Sequence, residues 1–186
     1  MQNDDAIVAE GLRGGDLKAL DRLIEKYQHR LYRYLLSITG NRALAEDIFQ
    51  ETWLHVLERA HQYRAQWKFE VWLFSIARHL VIDHARRKKS DSLDELMDPD
   101  EGAGFEPPSS GPSPVDELVA GEESSRVRSV LSRIPAAYRE VLTLRFQEDL
   151  ALEEMASIIK VPLSTVKSRL YRGLDTVRKY LEGDLS

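Results

Sequence analysis

The chain has 186 residues, 42% of them hydrophobic, and a formal net charge of −5, which is enough apolar material for one folded domain or two small ones. It holds no cysteine, which excludes disulfide frameworks and thiolate metal sites, and no apolar run approaches the length of a bilayer span, so no membrane insertion is expected. The acidic opening Met1-Gln2-Asn3-Asp4-Asp5 is unlike the basic start of a secretory signal and predicts a cytoplasmic protein.

Leu20, Leu23, Ile24, Tyr27, Leu31, Tyr34, Leu35 and Ile38 mark one face of a first helix, ended by Thr39-Gly40-Asn41. A second helix is predicted from about Arg42 to Arg59. Steps of about 100° per residue put Ala45, Ile48, Phe49, Thr52 and Val56 on its inward side. Asp47, Gln50, Glu51, Leu54 and Glu58 fall on the other side as a continuous stripe. A solvated face has no need of a leucine among carboxylates. A protein docking surface does use an apolar centre with a polar surround that fixes register, although a single exposed leucine is also ordinary.

A polar and aromatic stretch, His61 to Phe69, precedes a third helix from about Glu70 to Lys88. Leu73, Ile76, Ala77, Leu80 and Val81 are its predicted inward residues, with Trp72 mostly core beside them. Ser75, Arg78, His79, Ile82 and Arg86 point away, and the helix closes on Arg86-Arg87-Lys88-Lys89. A basic helix end is favourable through the helix dipole alone. Tyr63, Arg64, Trp67, Lys68 and Phe69 add interleaved rings and cations, the combination that unstacked bases and phosphates require.

Residues 91–123 carry eleven Asp or Glu and no Lys or Arg, and hold five of the seven prolines. Such a segment cannot bury a core, and roughly 91–122 is predicted as an acidic Pro/Gly-rich linker. Net positive stretches flank it at 61–90 and 160–182, so the negative total hides two basic patches.

After the linker, a helix near Ser124 to Arg133 is predicted to stop at Ile134-Pro135, followed by another through Tyr138, Val141, Leu142 and Phe146. Met155 to Arg172 then reads as a helix-turn-helix. Ala156 permits close crossing, Pro162 ends the first helix, and Ser164 or Thr165 is placed to cap the second. Lys160 stands where such turns often use Gly, because that residue takes positive φ. In the second helix Val166, Leu170, Leu174, Val177 and Leu181 form the buried stripe. Ser164, Thr165, Ser168 and Arg172 lie opposite, and Lys167 and Arg169 flank the stripe where long side chains reach phosphates. An amphipathic helix with a solvated basic face is the plainer reading of the same pattern.

No strand pattern appears, and the fold class is all-α: two small helical domains, 1–90 and 123–186, joined by the linker. His79 and His84 are five residues apart and share no helix face, and the other histidines lack ligand spacing. With no nucleophile arrangement and no phosphate-binding glycine loop, neither an enzyme nor a cofactor is predicted.

These pieces, in this order, resemble a sigma-70 family RNA polymerase sigma factor of the short extracytoplasmic-function (ECF) class. Ala45-Glu-Asp-Ile-Phe-Gln-Glu-Thr-Trp53 is similar to the family's polymerase-binding segment, which implies that Asp47, Gln50 and Glu51 dock on the β′ coiled coil, with Leu54 beside them. Trp72 to Arg87 resembles the helix that reads the minus-ten element, preceded by a loop that captures a flipped base. The implied contacts are Tyr63, Arg64, Trp67, Lys68, Arg78, His79 and Arg86. Ile134 to Phe146 with the helix-turn-helix resembles the domain that reads the minus-thirty-five element through Ser164, Thr165, Lys167, Ser168, Arg169 and Arg172.

Two departures from the family pattern are Lys160 for the customary turn glycine and His79 where Asn is common. The resemblance implies core RNA polymerase, through its β′ and β subunits, and promoter DNA as partners, and an anti-sigma factor as a further one. It also implies that the acidic linker threads a basic polymerase channel. The other reading of the residues is a conventional helix-turn-helix regulator with an N-terminal sensing or partner-binding domain, and a third is a purely structural helical adaptor.

Overall fold

The structure, a computed structural model, describes residues 2–64, 68–91 and 133–183. Seven α-helices make up this part: α1 (Gln2–Arg13), α2 (Leu17–Thr39), α3 (Arg42–Glu58), α4 (Phe69–Asp91), α5 (Ala136–Leu142), α6 (Leu152–Ile159) and α7 (Leu163–Glu182). A short 3-10 turn, Ala60–Gln62, follows α3, and no strand occurs among the described residues. The predicted linker and the helix predicted from Ser124 fall almost wholly outside the described residues.

Helix α2 is the spine of the first half. Asp16 caps its start, accepting a hydrogen bond from the Lys18 N–H at 3.0 Å, and Gly40 at φ 59° closes its end by donating to the Leu36 carbonyl. Asn41 then caps α3 through the Leu44 N–H at 3.1 Å, so a two-residue turn stops one helix and starts the next. Leu23, Tyr27, Leu31, Tyr34, Leu35 and Ile38 are buried, as the periodicity predicts, against Ala45, Ile48 and Val56 of α3 and Leu73, Phe74 and Ala77 of α4. Each such large side chain contributes about 1.5–3 kcal/mol on burial. Helix α1, which the sequence reading did not find, is tied to this spine by Asp5: its carboxylate accepts from the Lys26 amine at 2.5 Å and the Tyr27 hydroxyl at 2.5 Å. Burial, then the Asp5 hydrogen bond, push the Tyr27 phenol well above its ordinary range.

In the second half, α5 runs without a break into a wider π-helical turn, Thr143–Gln147. That turn changes the register, so Phe146, predicted as part of the helix pattern, is 62% exposed. Gly173 of α7 is buried against α5; a Cβ there would meet Leu142 Cδ1 at 3.2 Å, so the glycine sets how closely the two helices approach. The apolar stripe of α7 is buried at Val166 and only partly at Leu170 and Val177, while Leu174 and Leu181 are 41% and 47% exposed.

The turn of the helix-turn-helix confirms the backbone demand at Lys160, which adopts φ 57°. The predicted cap does not form. Pro162 occupies the N-cap position, with no side-chain acceptor, and α7 already begins at Leu163, which leaves Ser164 and Thr165 inside the first turn. Proline's fixed φ and its carbonyl, which accepts from the Thr165 N–H at 2.9 Å, start the helix two residues earlier than a Ser164 cap would and three earlier than a Thr165 cap.

The two halves pack on each other. Helices α2 and α5 touch, as do α4 and α6, and Val141, Leu144, Leu150, Met155 and Ile158 join the same apolar core as the first half.

Candidate functional site

Three surfaces carry the predicted functional residues. On α3, Asp47, Gln50, Leu54 and Glu58 are exposed and Glu51 is half-buried, while Ala45, Ile48, Thr52 and Val56 are buried and Phe49 partly so. Trp53, unassigned by periodicity, is core as well. Leu54 stands 60% exposed in the middle of this polar stripe. His55 lies beside it, 3.7 Å from both the Glu51 and the Glu58 carboxylates. This surface can dock a protein, and among the described residues no carboxylate on it is paired with the second half of the chain.

The second surface is the loop before α4 and the outward side of that helix. Arg64 and Arg86 are exposed, and His79 is exposed with its Nε2 3.1 Å from Asp83 Oδ2. Trp67 lies outside the described residues. Tyr63 departs from its expected part as a DNA-facing ring: it is 3% exposed, packed edge-to-face on Phe69 at 5.7 Å and tilted on Trp72 at 5.3 Å. An aromatic trio is more stable with its rings together than with one in water, so Tyr63 shapes the loop from within.

Lys68 and Arg78 depart from expectation in a different way. Both were expected to face nucleic acid, and both are held by carboxylates of the second half. Lys68 Nζ sits 2.7 Å from Glu154 Oε1, and that hydrogen bond raises the amine's pKa. Arg78 Nε donates to Glu140 Oε1 at 2.8 Å, and the same oxygen accepts from the Tyr34 hydroxyl at 3.0 Å. Burial, reinforced by Glu140, pushes the Tyr34 phenol far up. Arg30 completes the row: its guanidinium donates to Glu148 Oε2 at 2.7 Å, to the Glu148 carbonyl at 3.0 Å and to Glu70 Oε2 at 2.9 Å. Burial works against that charge, and the hydrogen bonds to Glu148 and Glu70 more than compensate, so its pKa rises.

Sequence reading missed Arg30, Tyr34, Glu140, Glu148 and Glu154 as a set. Tyr34 was assigned to core, and Glu140 sits among apolar residues where an unpaired carboxylate would be costly; that was the available signal.

The third surface is the exposed side of α7. Ser164, Lys167, Ser168 and Arg172 are exposed, and Thr165 and Arg169 partly so. Among the described residues, none of their side chains is hydrogen-bonded or ion-paired to the first half, which leaves a polar and cationic helix face of the kind that suits a major groove.

The comparisons with known proteins agree in both halves. The family model Sigma-70 region 2 matches residues 23–90, and Sigma-70, region 4 matches residues 124–177. The chain is similar to the ECF RNA polymerase sigma factor SigW of Bacillus subtilis (strain 168), 32% identical over 91% of this chain and 92% of that one. It is also similar to the RNA polymerase sigma-H factor of Pseudomonas aeruginosa, 28% identical over 97% and 95%. Among solved structures, CnrH in complex with the cytosolic domain of CnrY matches with a TM-score of 0.67 at 19% identity, over 97% of this chain and 99% of that chain. RpoE from Bartonella quintana, in complex with the anti-sigma factor NepR, matches with a TM-score of 0.70 at 18% identity, over 90% and 99%. At those identities the structural likeness speaks for the fold.

Proposed function

Because the chain belongs to the sigma-70 family, as an ECF-class sigma factor that directs RNA polymerase to promoters, we propose that α3 docks on the polymerase while α4 and α7 meet the DNA. The observation that carries the docking assignment is Leu54, exposed at the centre of Asp47, Gln50 and Glu51 on a helix whose other side is core. An apolar contact ringed by polar groups gives both area and register. On this reading residues 1–90 form the polymerase and minus-ten unit, 91–122 the connector, and 123–186 the minus-thirty-five unit.

Arg64, Lys68, Arg78, His79 and Arg86 engage the opened downstream element, with Tyr63 supporting the loop from inside. The α7 residues read the upstream element as duplex. Linked weak sites gain by effective concentration, so selectivity arises when the polymerase fixes both units on one promoter. The chain itself performs no chemistry, acts in the cytoplasm, and presents surfaces that an anti-sigma factor would cover. A conventional regulator needs no docking face on α3, and matches to sigma-70 regions in both halves do not favour it.

The test is reconstituted transcription. Purified chain added to core polymerase on a library of genomic fragments should produce initiation at a defined subset of start sites. Initiation no different from core alone would reject the reading.

A further inference from the structure

Helix α1 precedes the residues that match Sigma-70 region 2, which begin at position 23, yet its contacts lead to the loop assigned above to the minus-ten element. Asp5 of α1 accepts from the Tyr27 hydroxyl and from the Lys26 amine. The Tyr27 ring lies 5.5 Å from Phe69, the first residue of α4, and Phe69 lies 5.7 Å from both Tyr63 and Trp72. Tyr63 and Trp72 close the circuit at 5.3 Å. Tyr63 leads into the loop and Phe69 leads out of it, so one aromatic cluster clasps both of its ends. Both rings are buried.

A second route joins α1 to the same place. It touches the 3-10 turn Ala60–Gln62 that delivers Tyr63, and it touches α4, with Leu12 buried and Val8 partly so in the shared core. Burial, then Asp5 and Glu10, push the Tyr63 phenol up, so both α1 carboxylates act on that ring. Tyr63 and Trp72 also wall a cleft of about 470 Å³, with the exposed Arg64 among its lining. The rings that α1 supports thus shape the surface that an unstacked base would meet.

We propose that α1 is the positioning element of the minus-ten loop, acting through Asp5 and Tyr27. This rests on the promoter-directing reading, to which it adds a positioning residue outside the matched region. A buried phenol without an acceptor is costly, so Asp5 fixes the Tyr27 ring and, through it, Phe69 and Tyr63. Ring contacts of this kind depend on orientation, and a displaced Tyr27 passes its error along the cluster. A loop already held in its bound shape loses less freedom when it takes hold of a separated strand, and the opened promoter is favoured by that difference. Asp5 acts on opening through Tyr27 and is not itself a DNA contact.

Three variants of the full chain test this. Asp5→Ala removes the acceptor, Tyr27→Phe removes the donor and keeps the ring, and Asp5→Asn keeps an acceptor oxygen without the charge. In the free chain, hydrogen exchange at the Gln62 and Tyr63 amides, which bond the Arg59 and Ala60 carbonyls, should quicken about tenfold in the first two, with α3 amides unchanged. The two changes combined should be no worse than either alone, since both remove the same bond. Asp5→Asn should return exchange to within about twofold of wild type.

With core polymerase, on a fragment chosen for initiation by the wild-type chain, a fluorescent adenine analogue in the non-template strand reports opening. Opening should fall about fivefold in Asp5→Ala and in Tyr27→Phe at unchanged affinity for core polymerase, and recover in Asp5→Asn. A general loss of fold would lower both quantities together. Exchange at Gln62 and Tyr63 that ignores both substitutions, opening undiminished where exchange is faster, core binding that falls in step with opening, or Asp5→Asn as impaired as Asp5→Ala would overturn the proposal. If exchange responds as expected but the wild type neither binds core polymerase nor opens any fragment, α1 still positions the loop and it is the promoter-directing reading that fails.

Discussion

The first half of the molecule secures its helices locally, and the second half does so much less. Asp16 begins α2, Gly40 ends it and Asn41 begins α3, each through its own side-chain acceptor or, for the glycine, the left-handed region. The corresponding positions in the second half are Pro135, Ala151 and Pro162, none of which has a capping oxygen. At α6 only half of a capping box forms, with Glu154 Oε2 accepting from the Ala151 N–H at 2.8 Å. Two non-glycine residues of the second half, Asp149 and Lys160, sit at φ 51° and 57°. A helix-turn-helix built this way draws order from its packing on the first half, through Leu144, Leu150 and Met155.

Four variants break or sharpen that contrast. The largest effect belongs to the open face of the rigid half. Asp47→Arg with Glu51→Arg should weaken core polymerase binding by about 2–5 kcal/mol while leaving the melting temperature of the free chain nearly unchanged. Titration of labelled chain with core polymerase reads the first, calorimetry the second. Next, Gly173→Ala gains about 1 kcal/mol of helix propensity but forces a methyl onto Leu142, an overpacking cost of about 1–3 kcal/mol. The net loss, up to about 2 kcal/mol, should show in hydrogen exchange as faster opening of α5 and α7 with α2 and α3 unaffected.

Asn41→Ala removes a cap from the well-secured half and should cost about 1 kcal/mol in denaturant unfolding, spread over α2 to α4. The smallest change has the opposite sign. Lys160→Gly relieves the left-handed strain of the turn, offset in part by the greater freedom of glycine in the unfolded chain, and should stabilise the second half by about 0.5 kcal/mol. A loss instead of a gain would show that the Lys160 side chain contributes more than its backbone costs.

What could be read without coordinates follows from the range of each interaction. The inward faces of α2, α3 and α4 repeat every three or four residues, and the end of α2 and the start of α3 are written in Thr39-Gly40-Asn41, so both existence and orientation were legible. The same holds for the turn at Lys160, where the demand for positive φ could be anticipated from the pattern alone. Helix α1 was not legible because its anchor is tertiary: Asp5 gains meaning only once Lys26 and Tyr27 stand opposite it. The π-helical turn that exposes Phe146 leaves no periodic trace over five residues. Of the three functional surfaces, the outward stripe of α3 and the polar side of α7 fell where spacing put them. The covering of Lys68 and Arg78 did not, because partners that far apart along a chain share no local pattern.

Arg30 shows what kind of cation the meeting of the halves requires. Its three nitrogens point to a carboxylate and a carbonyl of one residue in the second half and to a carboxylate of the first, all at once. A lysine there would supply the same charge from a single tetrahedral point and could not span all three acceptors in one plane. Position 30 therefore tests molecular shape rather than electrostatics: it is a site where the most conservative-looking exchange of basic residues would be the least tolerated.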